Sequence, residues 1–306
     1  MIGIRFALYA NLMLLFGLPL FGLYALRATE RHDGHVLPLR AMVAVLSLVA
    51  VGLSLLSIVA MTASMAGVAL SDVDWASVQS MINDTSMGKA WQVRLAALML
   101  TLVAALVSGA LKRAWWLVPA VALSGTALGS LAWTGHGAAG EGTQGSLQLV
   151  ADLVHMLAAG AWVGALAALL WLVTRRIRAA TSDHLQLVHR VLHGFSLVGS
   201  IVVALIVASG LANSWVLVGP ANFSKALDSV YGQLLFAKLV LFVAMLGLAA
   251  ANRYGLTPAF AAAIARGNSA VAMAHLRRSL ASETALACLV LALVAWLGTL
   301  QPPAAM

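Results

Sequence analysis

The residues able to do chemistry in this chain are few, and five of them sit inside long apolar runs: Arg94, Asp152, His155, Lys238 and Glu283. An ionisable group within a membrane span costs a few kcal/mol or more, so each needs a partner, a wet cavity or a task. Asp152 and His155 are three residues apart, hence on one face of a helix. His136, in Thr134-Gly-His-Gly137, lies at the end of the preceding apolar run, close enough along the chain to converge with them. Neutral imidazole is a common copper or zinc ligand, and a neighbouring carboxylate orients it or ligates directly. Such groups equally serve as structural hydrogen-bonding residues, and the pattern alone leaves both readings open.

Softer donors lie nearby in sequence. The second apolar run and the loop after it supply Met61, Met65, Met81 and Met87, and thioether sulfur suits Cu(I), although methionine is also an ordinary filler of apolar gaps. Arg94 and Lys238 are expected to snorkel, to pair with an acid such as Asp152 or Asp228, or to neutralise an anionic group such as a haem propionate. Glu283 is expected to pair with Arg277 and Arg278 at the membrane interface, with a proton-coupling role as the alternative. His189 and His193 form an i, i+4 pair that reads either as a solvated face or as a metal pair.

The elements that position these groups follow from composition. Hydrophobic residues make up 62% of the 306 and charged residues 9%, with mean hydropathy +0.97, far from the roughly one-quarter charged share of a soluble domain. Backbone groups in hydrocarbon must be satisfied internally, and long unalternating apolar runs select helices over a barrel. Taking about 20 residues per span, the sequence predicts an all-α, polytopic membrane bundle. It has about eight transmembrane helices, near 6–26, 41–63, 91–110, 115–133, 148–173, 194–217, 231–251 and 281–300.

The formal charge of +8 and pI near 10.4 do not indicate nucleic acid, because the positive charges lie in short blocks between apolar spans. Alternate loops carry 13 of the 18 basic residues, which places those loops in the cytoplasm and both termini outside, in the periplasm if the host is a bacterium. The single cysteine, Cys288, excludes an intrachain disulfide. Nucleotide-binding and common hydrolase motifs are absent from the sequence, so an enzyme is not expected.

Gly88 through Arg94 resembles Gly232 through Lys238, with a cation six residues after a glycine and a common offset of 144. The first and fifth spans align at an offset of 142, which pairs Met13 with His155 and Gly22 with Gly164. The sequence thus admits a four-plus-four parallel repeat within a single transmembrane domain, with halves 1–147 and 148–306.

His136, Asp152-Leu-Val-His155, Trp162-Val-Gly164, Phe195-Ser196, Ser209-Gly210, Asn213, Tyr231-Gly232 with Lys238, Asn252-Arg253 and Leu276-Arg-Arg-Ser-Leu280 with Glu283 together resemble the copper resistance protein D family. The resemblance is carried mainly by the second half. It implies copper movement between periplasm and cytoplasm, copper resistance, and a separate periplasmic carrier of the copper resistance protein C type. It also implies copper ligation by His136 and His155, with Asp152 as ligand or support, Met61, Met65, Met81 and Met87 as delivery residues, and Arg94, Asn213, Lys238 and Glu283 along a buried polar path. The competing readings are a b-type haem electron carrier, which needs more intramembrane histidines than the chain supplies, and a structural or sensor membrane protein.

Overall fold

The computed structural model describes residues 1–32, 34–111, 114–134, 142–175, 182–218 and 228–301, and every regular element among them is helical. The α-helices in chain order are α1 (Ile2–Ala25), α2 (Ala28–His32), α3 (Leu39–Ala66), α4 (Trp75–Asp84), α5 (Ser86–Leu111) and α6 (Leu117–Gly129). They continue with α7 (Gly142–Thr174), α8 (Ser182–Val218), α9 (Val230–Ala251), α10 (Thr257–Ala265) and α11 (Ala270–Leu297). A π-helical turn at Asn252–Leu256 joins α9 to α10, making one apolar stretch from Val230 to Ala265.

Seven of these stretches are long and apolar enough to cross a membrane. The chain is a multi-pass helical membrane protein. The expected span at 115–133 differs: Leu117–Trp133 is apolar but shorter, because the α-helix stops at Gly129 and a 3₁₀ segment, Ser130–Thr134, finishes it. The tighter turn swings Ser130 towards α5, where its hydroxyl meets Arg94.

The two central helices are α1 and α7, the most buried spans. They pack on each other; α1 also contacts α3, α6 and α11, and α7 contacts α8 and α11. Their contact is made by glycine. A Cβ on Gly17 would stand 2.2 Å from the Gly160 carbonyl oxygen, and one on Gly164 would stand 2.3 Å from the Gly17 backbone. With no hydrophobic drive between helices in lipid, close backbone approach through small residues supplies the packing energy.

Arginines close the helix ends. At one end of the bundle Arg5 donates to the Gly298 carbonyl and ties α1 to the end of α11. At the other, Arg31 donates to the carbonyls of Gly22 (3.0 Å), Leu26 (2.9 Å) and Leu23 (2.5 Å), capping α1, and Arg277 donates to the Val173 carbonyl (3.1 and 2.9 Å), capping α7. Arg190 pairs with Glu30 at that same end. A cation at a helix C-terminus meets unsatisfied carbonyls and the negative end of the dipole, so Arg31 and Arg277 stabilise the helix ends they reach. The opposite sign operates at α4, whose Asp74 cap accepts from the Ser77 N–H at 2.7 Å; that bond holds its carboxyl below the usual aspartate range.

Candidate metal and ion-binding centre

Asp152, His155, Ser209, Asn213, Tyr231 and Lys238 come together near the Arg5 end, from α7, α8 and α9. Their chain positions explain the convergence. Asp152 and His155 share a face of α7, Ser209 and Asn213 are one turn apart on α8, and Tyr231 and Lys238 are two turns apart on α9.

The protonation of His155 can be read from its surroundings. Its Nδ1 lies 3.0 Å from the Ser209 Oγ, and that hydroxyl donates its single proton to the Leu205 carbonyl at 2.5 Å. Ser209 Oγ can therefore only accept from the ring, so Nδ1 carries the proton and Nε2 keeps a lone pair. Gly210 admits the ring: a Cβ there would stand 3.4 Å from its Cε1.

Asp152 accepts a hydrogen bond from the Asn213 amide and faces the Lys238 ammonium, which lies close enough to act on His155 as well. The Asn213 Oδ1 is buried without a partner among the described residues. An imidazole, an unpartnered amide oxygen and a carboxylate thus share a site with one cation. His136 lies outside the described residues. Within them, no three His, Cys, Asp or Glu side chains form a metal-binding group.

The four methionines do not act together. Met61 and Met87 line a pocket of about 60 Å³ with Arg5, Tyr9, Trp91 and Arg94. Met65 is exposed on the outside of the bundle, and Met81 is buried with its sulfur 3.7 Å from the Thr85 hydroxyl. Tyr9 was not singled out by the sequence, yet it is the residue of α1 within electrostatic reach of Arg94 and Asp152 alike. A phenol within a largely apolar span was its only signal.

Two expectations about buried charge need correction. Arg94 neither snorkels nor pairs with an acid: it is 1% exposed, its Nε donates to Ser130 Oγ at 2.8 Å, and among the described residues it makes no salt bridge. Glu283, 2% exposed, accepts from the Asn252 amide, while Arg277 is spent on the Val173 carbonyl. The π-helical turn carries Asn252 inward to meet this carboxyl. Glu283→Ala, which strands the Asn252 amide, is expected to cost about 1–3 kcal/mol in thermal unfolding of the detergent-solubilised protein. His189 and His193, with ring centroids 6.3 Å apart, line a cavity of about 640 Å³ that also contains Glu283 and Asn252, towards the Arg190 end.

Residues 1–147 match the model of the copper resistance protein D-like N-terminal domain, and residues 189–297 match that of copper resistance protein D. The chain is 43% identical over 305 residues to copper resistance protein D of Pseudomonas syringae pv. tomato, covering 98% of this chain and 96% of that protein. The chain belongs to the copper resistance protein D family. Inner membrane protein YebZ of Escherichia coli K12 is 27% identical over 304 residues, 98% of each chain. Copper transport protein CutJ of Bacillus subtilis is 28% identical over 178 residues, 56% of this chain and 31% of that protein. No solved structure matches.

The family pattern sits on a local structural one. Thr85 Oγ1 accepts from the Gly88 N–H (2.9 Å) and Ser229 Oγ from the Gly232 N–H (3.1 Å), each opening a helix with a buried or half-buried cation six residues after the glycine. Hydroxyl, glycine and cation all recur at the offset of 144.

Proposed function

We propose that this protein binds copper at the His155, Asp152 and Asn213 cluster and passes it across the bacterial inner membrane, from the periplasm towards the cytoplasm. The observation that carries the reading is the His155 imidazole, its Nδ1 3.0 Å from the Ser209 Oγ and an acidic side chain one turn away, in a chain whose family is named for copper resistance. A relative named as a copper transport protein supports transport over storage. The basic loops at the Arg190 end support a cytoplasmic placement of that end, and hence a periplasmic cluster and periplasmic termini. His136 is a further copper ligand from the chain segment before α7, and Met61 and Met87 are the two methionines left as delivery residues. A separate periplasmic carrier of the copper resistance protein C type hands over the ion.

In the metal-free cluster the Lys238 ammonium balances Asp152. An arriving copper ion, Cu(I) or Cu(II), competes with that ammonium for the carboxylate. Lys238→Met is therefore expected to bind copper roughly tenfold or more tightly, read by competition with a copper chelator, as removal of a like charge worth a few kcal/mol implies.

The first test of the whole reading is elemental analysis and visible absorption of the purified protein, compared with the His136→Ala/His155→Ala variant. Copper near one equivalent, lost in the variant, upholds it. A Soret band in the wild type replaces copper by haem, and neither signal leaves a structural or sensor protein.

A further inference from the structure

We infer that the pocket between α1, α3 and α5 is a binding site for a small monovalent inorganic anion of halide size, held by Arg94. The inference stands apart from copper binding at His155.

Arg94 is always charged, and among the described residues it is the largest fully buried side chain. Its Nε is satisfied by Ser130, whose own proton goes to the Ala127 carbonyl at 2.7 Å, so Ser130 brings no negative charge. Among the described residues the Nη2 has no hydrogen-bond partner. A buried ion left without a counter-charge costs several kcal/mol, and the electrostatic partner of Arg94 among those residues is Tyr9, a neutral phenol at ordinary pH.

What surrounds the guanidinium favours an anion. Among the described residues neither aspartate nor glutamate lines the pocket, whereas Arg5 does. Trp91 turns its Nε1–H away, to the Ser54 carbonyl at 2.8 Å. A water needs about 10–15 Å³, so about 60 Å³ holds a halide with some of its water and is far too small for a haem or a nucleotide.

The offset of 144 supplies an independent argument. It relates Arg94 to Lys238, and the counter-ion of Lys238 is Asp152. The offset of 142 that relates the first and fifth spans carries Asp152 to Ala10, next to Tyr9. One cation has its carboxylate built into the chain, and the equivalent position beside the other holds an apolar residue and a phenol. An anion in the pocket stands where that carboxylate would.

The pocket's positive charge also bears on Met61 and Met87. A bare cuprous ion at their sulfurs would meet two guanidinium groups, so copper reaches them only with the anion in place.

The experiment is thermal unfolding of the full-length, detergent-purified protein in sodium gluconate with increasing sodium chloride or bromide at constant ionic strength. The wild type is expected to show a saturable rise in Tm. Arg94→Gln should remove the halide response, and Met61→Phe, which fills the pocket and leaves Arg94 in place, should weaken the halide Kd at least tenfold. Met61→Phe decides the matter alone if Arg94→Gln does not fold. Equal Tm in gluconate and halide, or an unchanged halide response in Met61→Phe, overturns the proposal. A response to added phosphatidylglycerol but not to halide assigns the guanidinium to a lipid phosphate and overturns it too.

Discussion

His155→Ala is expected to abolish copper accumulation by cells expressing the protein, with the variant still present in the membrane fraction at wild-type abundance. Abundance should hold because spans and orientation are set by apolar length and loop arginines, none of which involves His155. Loss of a ligand also explains a fall in copper content, so the sharper comparison is Ser209→Ala. That change removes no ligand. It frees Nδ1 from the acceptor that fixes the ring's tautomer and direction, and supporting partners of metal-binding histidines are typically worth 10–100-fold in affinity. Ser209→Ala is therefore expected to weaken copper binding by about that factor, read by competition with a copper chelator. A structural role for His155 would instead show as a fall in Tm in both variants with copper binding unchanged.

The spans were legible because about 20 consecutive apolar residues have no other stable arrangement in lipid. The one that differs, Leu117–Trp133, ends in a 3₁₀ segment that hydropathy does not distinguish from α-helix. Asp152 and His155 were legible for a different reason: ionisable groups in hydrocarbon are conspicuous, and their spacing puts them on one face. Their partners were harder to foresee. Ser209 and Asn213 arrive from another helix, and which face of α8 meets α7 depends on packing. The methionines show the same limit. Met61 and Met65 are one turn apart, yet Met61 faces the pocket and Met65 faces outward at 67% exposure, a choice made by the position of α1 and α5. Charge pairing was read wrongly for Glu283 because Arg277 and Arg278 are neighbours in sequence, whereas Asn252 comes within reach only through a π-helical turn.

Gly164→Ala is expected to be among the most damaging single-methyl changes in the chain. The added Cβ would stand 2.3 Å from the Gly17 Cα and carbonyl carbon, and backbone atoms at the centre of two packed helices have no rotamer through which to yield. The helices must then part, and overpacking of a tight interior costs typically 1–3 kcal/mol and more where the neighbour cannot move. We expect a loss of about 3 kcal/mol or more on that basis, measured as a fall in Tm of the detergent-solubilised protein. Gly52→Ala supplies the control, since a Cβ at that position in α3 meets nothing within 4 Å; it should leave the protein unchanged or raise stability by up to about 1 kcal/mol, the usual gain of alanine over glycine in a helix. If the two variants melt alike, the α1–α7 contact does not hold the bundle together. If Gly164→Ala melts early and also loses copper, the comparison with Ser209→Ala separates the causes. Parting α1 from α7 displaces Asp152 and His155 together, whereas the serine change releases one ring nitrogen and leaves the glycine seam closed.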